Sequence, residues 1–156
     1  MIAGWLRAEH VAKWWGEPEE QLALVTEDLD EPAMRQWIVS YLGRPFAYAQ
    51  AYAQAYAPLA WPQDHLGGLP DGAVAIDVFI GEPEMVGRSH GSAFLRILAQ
   101  MLIADGASVV AIDPDADNHR ARRAYEKAGF TGDEVVETSE GPTILMLFRP
   151  LPRPIG

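Results

Sequence analysis

The stretch FAYAQAYAQAYA, residues 46–57, constrains the fold more than any other part of the chain. Phe46, Tyr48, Gln50, Tyr52, Gln54 and Tyr56 alternate there with alanine at every intervening position. A period of two marks an extended strand, because successive side chains leave opposite faces. One face of this strand is aromatic and polar. The other is a strip of methyl groups, smooth enough for a helix or a ligand to lie close. Alanine is a poor strand former, so a helix is the competing reading of the same residues.

The flanking patterns supply the rest of a layered fold. PEEQLALVTEDL (18–29) places Leu22, Val25 and Leu29 at helical spacing behind Pro18, with two glutamates where the helix dipole favours negative charge. RQWIVSYL (35–42) predicts a strand, followed by a turn at GRP. PLAWPQDHLGGLPDG (58–72), with three prolines and three glycines, is a long loop. AVAIDVFI (73–80) is again a strand, with Val74, Ile76 and Val78 on one face and Asp77 on the other. Phe94, Leu95, Leu98, Met101 and Leu102 then form the apolar face of a helix ending at Gly106. SVVAID (108–113) predicts a buried strand. NHRARRAYEKAGF (118–130) predicts a helix capped by Asn118 and stopped at Gly129, with Ala121, Ala124, Tyr125 and Ala128 along one side. DEVVETSEGPTILMLFRP (133–150) reads as two strands joined at SEGP. Helix, three strands, helix, strand, helix, two strands is an α+β order, a sheet wrapped by helices in one domain over 1–156.

Composition limits the function. A chain of 156 residues buries roughly two-thirds of its unfolded surface and needs no staple to fold. No apolar run approaches the ~18 residues of a membrane span, and MIAGWLRAEH lacks the parts of a signal peptide, which makes the cytoplasm the expected location. The absence of cysteine removes disulfides, thiolate metal sites and a thiol nucleophile together. Twelve basic against twenty-two acidic side chains, net −10, disfavour nucleic acid or an anionic membrane as partner. The same charge would gather cations at an acidic cleft, or serve solubility alone.

MVGRSHGSAF (85–94) sets Gly87 and Gly91 four apart between a strand and a helix. Such a loop aims several backbone N–H groups at one point, at the positive end of the helix dipole, and so binds phosphate without a basic side chain. Arg88 and Ser92 would add charge and a hydroxyl. A plain glycine turn before a helix looks the same. The spacing is neither a P-loop nor a dinucleotide fingerprint. Asp113 opens DPDADN, whose alternating aspartates imitate a calcium loop, but Asn118 and Ala124 stand where such a loop needs glycine and glutamate. His10, His65, His90 and His119 have no metal-ligand spacing, and no metal site is expected. Taken singly, Asp113 is a turn or cap residue, Asp77 a solvated strand residue and Tyr125 core packing with its hydroxyl at the rim. Trp14 and Trp15 are packing, or a wall against a sugar ring.

In order and spacing, VGRSHGSAFLRIL followed by IDPDADNHRARRAYEKAGF resembles the acetyl-CoA site of the GNAT superfamily of N-acetyltransferases. The resemblance implies that Val86, Gly87, Arg88, Ser89, His90, Gly91 and Ser92 form a pyrophosphate loop. It also implies that an Asn-x-x-Ala-x-x-x-Tyr-x-x-x-Gly-Phe helix completes the site, matched here at Asn118, Ala121, Tyr125, Gly129 and Phe130. HVAKWWG (10–16), AYAQAY (47–52) and GAVAID (72–77) are similar to the branch holding aminoglycoside 6′-N-acetyltransferases and the lysine or hydroxylysine acylases of siderophore assembly. The likeness runs from about residue 10 to 149. It implies a mixed, mostly antiparallel sheet wrapped by helices, with the first strand missing or shortened. Two loop positions depart from the family pattern: Val86 replaces a polar residue and Ser89 a glycine. A serine forced to positive φ costs on the order of 1 kcal/mol unless its hydroxyl joins the site.

The resemblance also implies a chemistry. A neutral primary amine attacks the thioester of acetyl-CoA. Asp113 holds and deprotonates it, Asp77 is the second carboxylate, and Tyr125 protonates the departing sulfur. A backbone N–H between Val78 and Ile80 steadies the oxyanion. Trp14, Trp15, Asp77 and Asp113 line the acceptor side. Without cysteine, attack is direct in a ternary complex. The expected acceptor is a small polycationic amine, an aminoglycoside 6′-amine before a lysine-derived siderophore precursor. A coenzyme-binding module without catalysis is the alternative of another class, and the assembly is a monomer or homodimer.

Overall fold

Residues 46–53 of the alternating stretch are a strand, and both of its faces are buried. The computed structural model describes residues 1–53, 68–139, 141–152 and 155, so Gln54, Tyr56 and most of the loop expected over 58–72 lie outside the described residues. Strands β1 (Met34–Tyr41) and β2 (Arg44–Ala53) form an antiparallel hairpin. Its turn is Leu42–Gly43, with φ of 50° and 79°, the left-handed pair that two-residue hairpins use. The turn therefore precedes the expected GRP, and Arg44 and Pro45 already belong to β2.

The methyl face of β2 lets a helix lie directly on it. Ala49 and Ala51 share one buried cluster with Leu95, Leu98, Ala99 and Leu102 of the helix that follows the third strand. On the opposite face Tyr48 packs with Trp5, Leu6, Val11, Val25 and Phe79. Three helices cover that side: α1 (Ile2–Arg7), α2 (Glu9–Trp15) and α3 (Pro18–Glu27). Helices α1 and α2 were not expected, because six or seven residues are too few to display a helical period. In α3, Pro18 stands in the first turn as its fixed φ suits, and the Glu17 carboxylate accepts from the Glu20 amide at 2.8 Å. This helix stops at Glu27, and Leu29, expected on its apolar face, sits in a 3-10 turn with 68% of its surface exposed.

Strand β3 (Val74–Ile80) runs antiparallel to β2 and is followed by α4 (His90–Ala104) and β4 (Val110–Ile112). Helix α5 (His119–Ala128) comes next, capped by Asn118 and ended by Gly129 at a φ of 112°, as its sequence predicts. The C-terminal segment forms three strands rather than two: β5 (Val135–Thr138), β6 (Gly141–Ile144) and β7 (Met146–Phe148). Two sets of partners compete for that last stretch. Residues 141–144 pair with β5 and with the segment after β4, through Ile144 N–H to Pro114 O, whereas residues 146–148 pair with β4. The main sheet has the order β1-β2-β3-β4-β7, antiparallel except between β3 and β4, which gives the mixed, mostly antiparallel α+β arrangement expected. Among the described residues no helix is long and apolar enough to cross a membrane.

The N-terminal helices are fastened where β3 ends. Trp5 lies flat on Gly81, so close that a Cβ at Gly81 would sit 2.0 Å from Trp5 Cδ2, and its indole N–H donates to Glu82 Oε1 at 3.0 Å. Gly81→Ala must displace this buried ring and is expected to lower the unfolding free energy by about 1–3 kcal/mol in urea titration. Gly4→Ala, in the interior of α1 with nothing within 4 Å of a new Cβ, is expected to raise it by about 0.5–1 kcal/mol.

Candidate active site

Parallel pairing between β3 and β4 consists of two positions, Val74 with Val110 and Ala75 with Ala111. Beyond them the strands diverge. Asp77 and Asp113 each lie two positions past the last pair, at the opening wedge, with Asp113 just after the end of β4. A cleft of about 980 Å³ occupies this wedge and is bordered by Asp77, Asp113, Tyr125, the loop before α4 and the tryptophans of α2. Past Ala75 the β4-facing edge of β3 has no further strand pairing among the described residues, and Val78, Phe79 and Ile80 line the cleft.

A directed chain of hydrogen bonds ends on Asp77. Gln50, its cross-strand neighbour on β2, donates to Asp77 Oδ2 at 2.9 Å. The Tyr48 hydroxyl donates to Gln50 Oε1 at 2.8 Å, and Gln36 Nε2 donates to that hydroxyl at 2.9 Å and to Val25 O at 3.0 Å. Burial pushes the Tyr48 phenol up, and the charges of Asp28 and Asp77 add to the rise against the bond from Gln36. The phenol therefore stays protonated and keeps the chain pointing one way, toward the carboxylate.

Tyr125 reaches the same wedge from α5. Loss of solvent around the ring raises its phenol well above the ordinary tyrosine value, and the negative charges of Asp77 and Asp113 raise it further. It is thus held as a proton donor beside two carboxylates. Asn118 and Ala121 line the cleft nearer the start of α5, where the Asn118 side chain accepts from the Ala121 amide at 3.2 Å and is spent on capping.

The loop before α4 is pinned at its start by Met85, buried with Phe46 and Ala47. The Val86 amide is used by Pro83 O. From Gly87 to Ser92, by contrast, no backbone N–H has a protein acceptor among the described residues; the first bond of the helix is Ala93 N–H to Ser89 O. Gly87 and Ser89 are left-handed, with φ of 77° and 64°, and α4 starts at His90. For serine that conformation costs about 1–2 kcal/mol. Its hydroxyl does not cap the helix but accepts from Lys127 Nζ at 2.6 Å. Val86, Gly87, Ser89, Gly91 and Ser92 border the cleft. The side chains of Arg88 and His90 do not: Arg88 is exposed, and the His90 ring packs against Tyr41 and Phe46 at centroid distances of 4.6 and 5.8 Å. Ser92 turns its hydroxyl to Ser89 O at 3.1 Å, bracing the turn.

The tryptophans divide. Trp15 stands edge-on to Phe79 and Tyr48, at 4.9 and 6.3 Å, and joins α2 to the sheet; Trp14 carries the Lys13 ammonium 4.9 Å over its ring. Both border the cleft. Several residues there were not singled out from the sequence. His10 bonds Ile80 O through Nε2 at 2.9 Å and so ties α2 to the end of β3. Asp28 faces the cleft with its carboxyl raised by burial, then by Glu27 and Glu31. Gln50 was visible only as one polar position in the alternation, and its bond to Asp77 depends on strand register. Lys127 shares a helical face with Arg120 and Arg123, a spacing that could have drawn notice. Among the described residues no group of three histidine, aspartate or glutamate side chains is placed to hold a metal ion.

Residues 1–138 match the family described as acetyltransferase (GNAT) domain. The aminoglycoside N(6′)-acetyltransferase type 1 of Klebsiella pneumoniae is 30% identical over 155 residues, covering 94% of this chain and 76% of the relative. Among solved structures, the aminoglycoside acetyltransferase AAC(6′)-Ib with paromomycin and acetyl-CoA superposes with a TM-score of 0.82 at 28% identity, over 96% of this chain and 86% of that one. The same enzyme with coenzyme A and kanamycin also gives 0.82, at 27% identity over 96% and 87%. The chain belongs to the GNAT acetyltransferases and is related to the aminoglycoside N(6′)-acetyltransferases.

Proposed function

We propose that this acetyltransferase moves the acetyl group of acetyl-CoA to a primary amine of a small polycationic acceptor, an aminoglycoside 6′-amine foremost. The observation that carries this reading is a single cleft bordered by Asp77, Asp113 and Tyr125 and by Gly87, Ser89, Gly91 and Ser92, whose backbone amides have no protein acceptor among the described residues. The relative AAC(6′)-Ib, solved with kanamycin and coenzyme A, supports the pairing of such an acceptor with such a donor.

The amides from Gly87 to Ser92 fit a diphosphate, since they are oriented donors at the positive end of α4 and need no basic side chain. Past its last pair with β4, β3 offers a backbone N–H between Val78 and Ile80 to the negative charge that grows on the acetyl oxygen, with His10 holding Ile80 O. Asp113 takes the proton of the attacking amine as the N–C bond forms. Asp77, oriented by Gln50, adds a second negative charge that draws cationic amines into the cleft. As the C–S bond breaks, Tyr125 gives its proton to the sulfur and is reprotonated from solvent. Overall one amine proton is lost, one thiol proton gained, and no acyl-enzyme is formed.

Release of free thiol from acetyl-CoA in the presence of kanamycin is the direct test; coenzyme binding with no turnover of any amine in a panel would favour a binding module instead. Asp113→Asn is expected to lower kcat/KM by about 100-fold as a lost acid–base contribution, and turnover equal to wild type would remove Asp113 from that role. Because burial and both carboxylates raise the Tyr125 phenol, its ionisation produces no alkaline fall in kcat below about pH 10, the ordinary tyrosine value. A fall between about pH 8 and 9 that Tyr125→Phe abolished would show that the phenol ionises earlier than its surroundings require.

A further inference from the structure

We propose that Lys127 is a positioning residue for the coenzyme loop: by donating to the Ser89 hydroxyl it holds Ser89 in the left-handed conformation that leaves the neighbouring amides open to the cleft. The inference rests on the reading of Gly87 to Ser92 as the diphosphate site.

Ser89 and Leu42 are the non-glycine residues with positive φ among the described residues, and only Ser89 borders the cleft. A serine at the N-cap of a helix ordinarily takes extended backbone angles and turns its hydroxyl onto the amide two or three residues on. Here that arrangement would spend the Gly91 or Ser92 amide on the protein itself and withdraw it from a ligand. Ser89 does otherwise, with φ 64°, ψ 3° and no side-chain cap bond. What engages its hydroxyl is Lys127 Nζ at 2.6 Å, a charge-assisted bond to the acceptor that self-capping would need.

The backbone of Lys127 is firmly placed, and from it the exposed side chain reaches the Ser89 hydroxyl. It lies in the last turn of α5, beside Ala128, which is wholly buried. Arg96 of α4 donates to Lys127 O at 3.0 Å and to Ala128 O at 3.1 Å, tying the end of α5 to the first turns of α4. Loop, α4 and α5 thus form a closed brace, with Arg96 fixing the backbone and Lys127 the hydroxyl. A glycine at position 89 would need no such support, because it accepts the left-handed conformation freely and has no hydroxyl with which to cap the helix.

A double-mutant cycle read by calorimetric titration with acetyl-CoA separates this role from direct contact of the ammonium with phosphate. Lys127→Ala is expected to weaken binding by about 5- to 10-fold while kcat at saturating acetyl-CoA is unchanged, and Ser89→Gly to tighten binding by about twofold or more. In the Ser89→Gly background, Lys127→Ala should change the dissociation constant by less than about twofold, the signature of an effect exerted through Ser89. Lys127→Gln, which can still donate to the hydroxyl without charge, should restore most of the binding, and the salt dependence of binding should match wild type in every variant. Equal losses from Lys127→Ala in both backgrounds, a shallower salt dependence, or no loss in either background overturns the proposal. Thermal unfolding of each variant guards against a folding defect, and Lys127→Gln carries the comparison should Lys127→Ala be unstable. If wild type binds no acetyl-CoA, the reading of the loop fails and this inference falls with it; binding without the expected coupling sinks the inference alone.

Discussion

The divergence of β3 from β4 is the constraint on which the rest depends. Two residue pairs hold these parallel strands together, and past Ala75 and Ala111 the two strands pair no further among the described residues. Backbone groups left in this way inside a fold are costly unless something polar meets them. Here they face a cleft, so the break in the sheet is also the place where a polar ligand can bond to the chain. Asp77 and Asp113, each two positions past the last pair, border that same cleft.

What brings the loop to that gap is the alanine strip of β2. Side chains no larger than methyl at Ala49 and Ala51 allow α4 to pack closely against the sheet through Leu95, Leu98, Ala99 and Leu102. The start of α4 is thereby carried to the mouth of the wedge. The other face of β2 supplies the second element of the site, because Tyr48 and Gln50 transmit the hydrogen-bond chain that orients Asp77. One strand therefore serves two purposes, and its period of two is what separates them.

The electrostatics of the cleft follow from using backbone rather than side chains. A protein with net charge −10 that placed carboxylates beside a cationic amine would repel an anionic donor if both sat in one field. Amide groups at the start of a helix attract phosphate locally, over the first turn, and leave the acidic side of the cleft intact. Lys127 and Arg96 lie on the loop side of this division, where they support its geometry. Tyr125 borders the same cleft, its proton retained because burial, and after it the charges of Asp77 and Asp113, disfavour the phenolate.

Much of this was legible in the residues. Alternation marked β2, Pro18, Asn118 and Gly129 marked helix ends, and glycines at 87 and 91 marked the loop, since each signal is local and acts over a few residues. The short helices α1 and α2, the division of the last stretch into β6 and β7, the exposure of Arg88 and the packing of His90 against Tyr41 and Phe46 were not, because each is settled by what packs against the segment. Gln50 opposite Asp77, His10 on Ile80 and Lys127 on Ser89 join residues 27, 70 and 38 positions apart. By itself the sequence determined the periods, the caps and the types of residue available to the site; the tertiary structure alone decided register and the parting of β3 from β4. Local conformational preference depends on neighbours along the chain, whereas strand pairing is chosen by burial summed over the whole sheet.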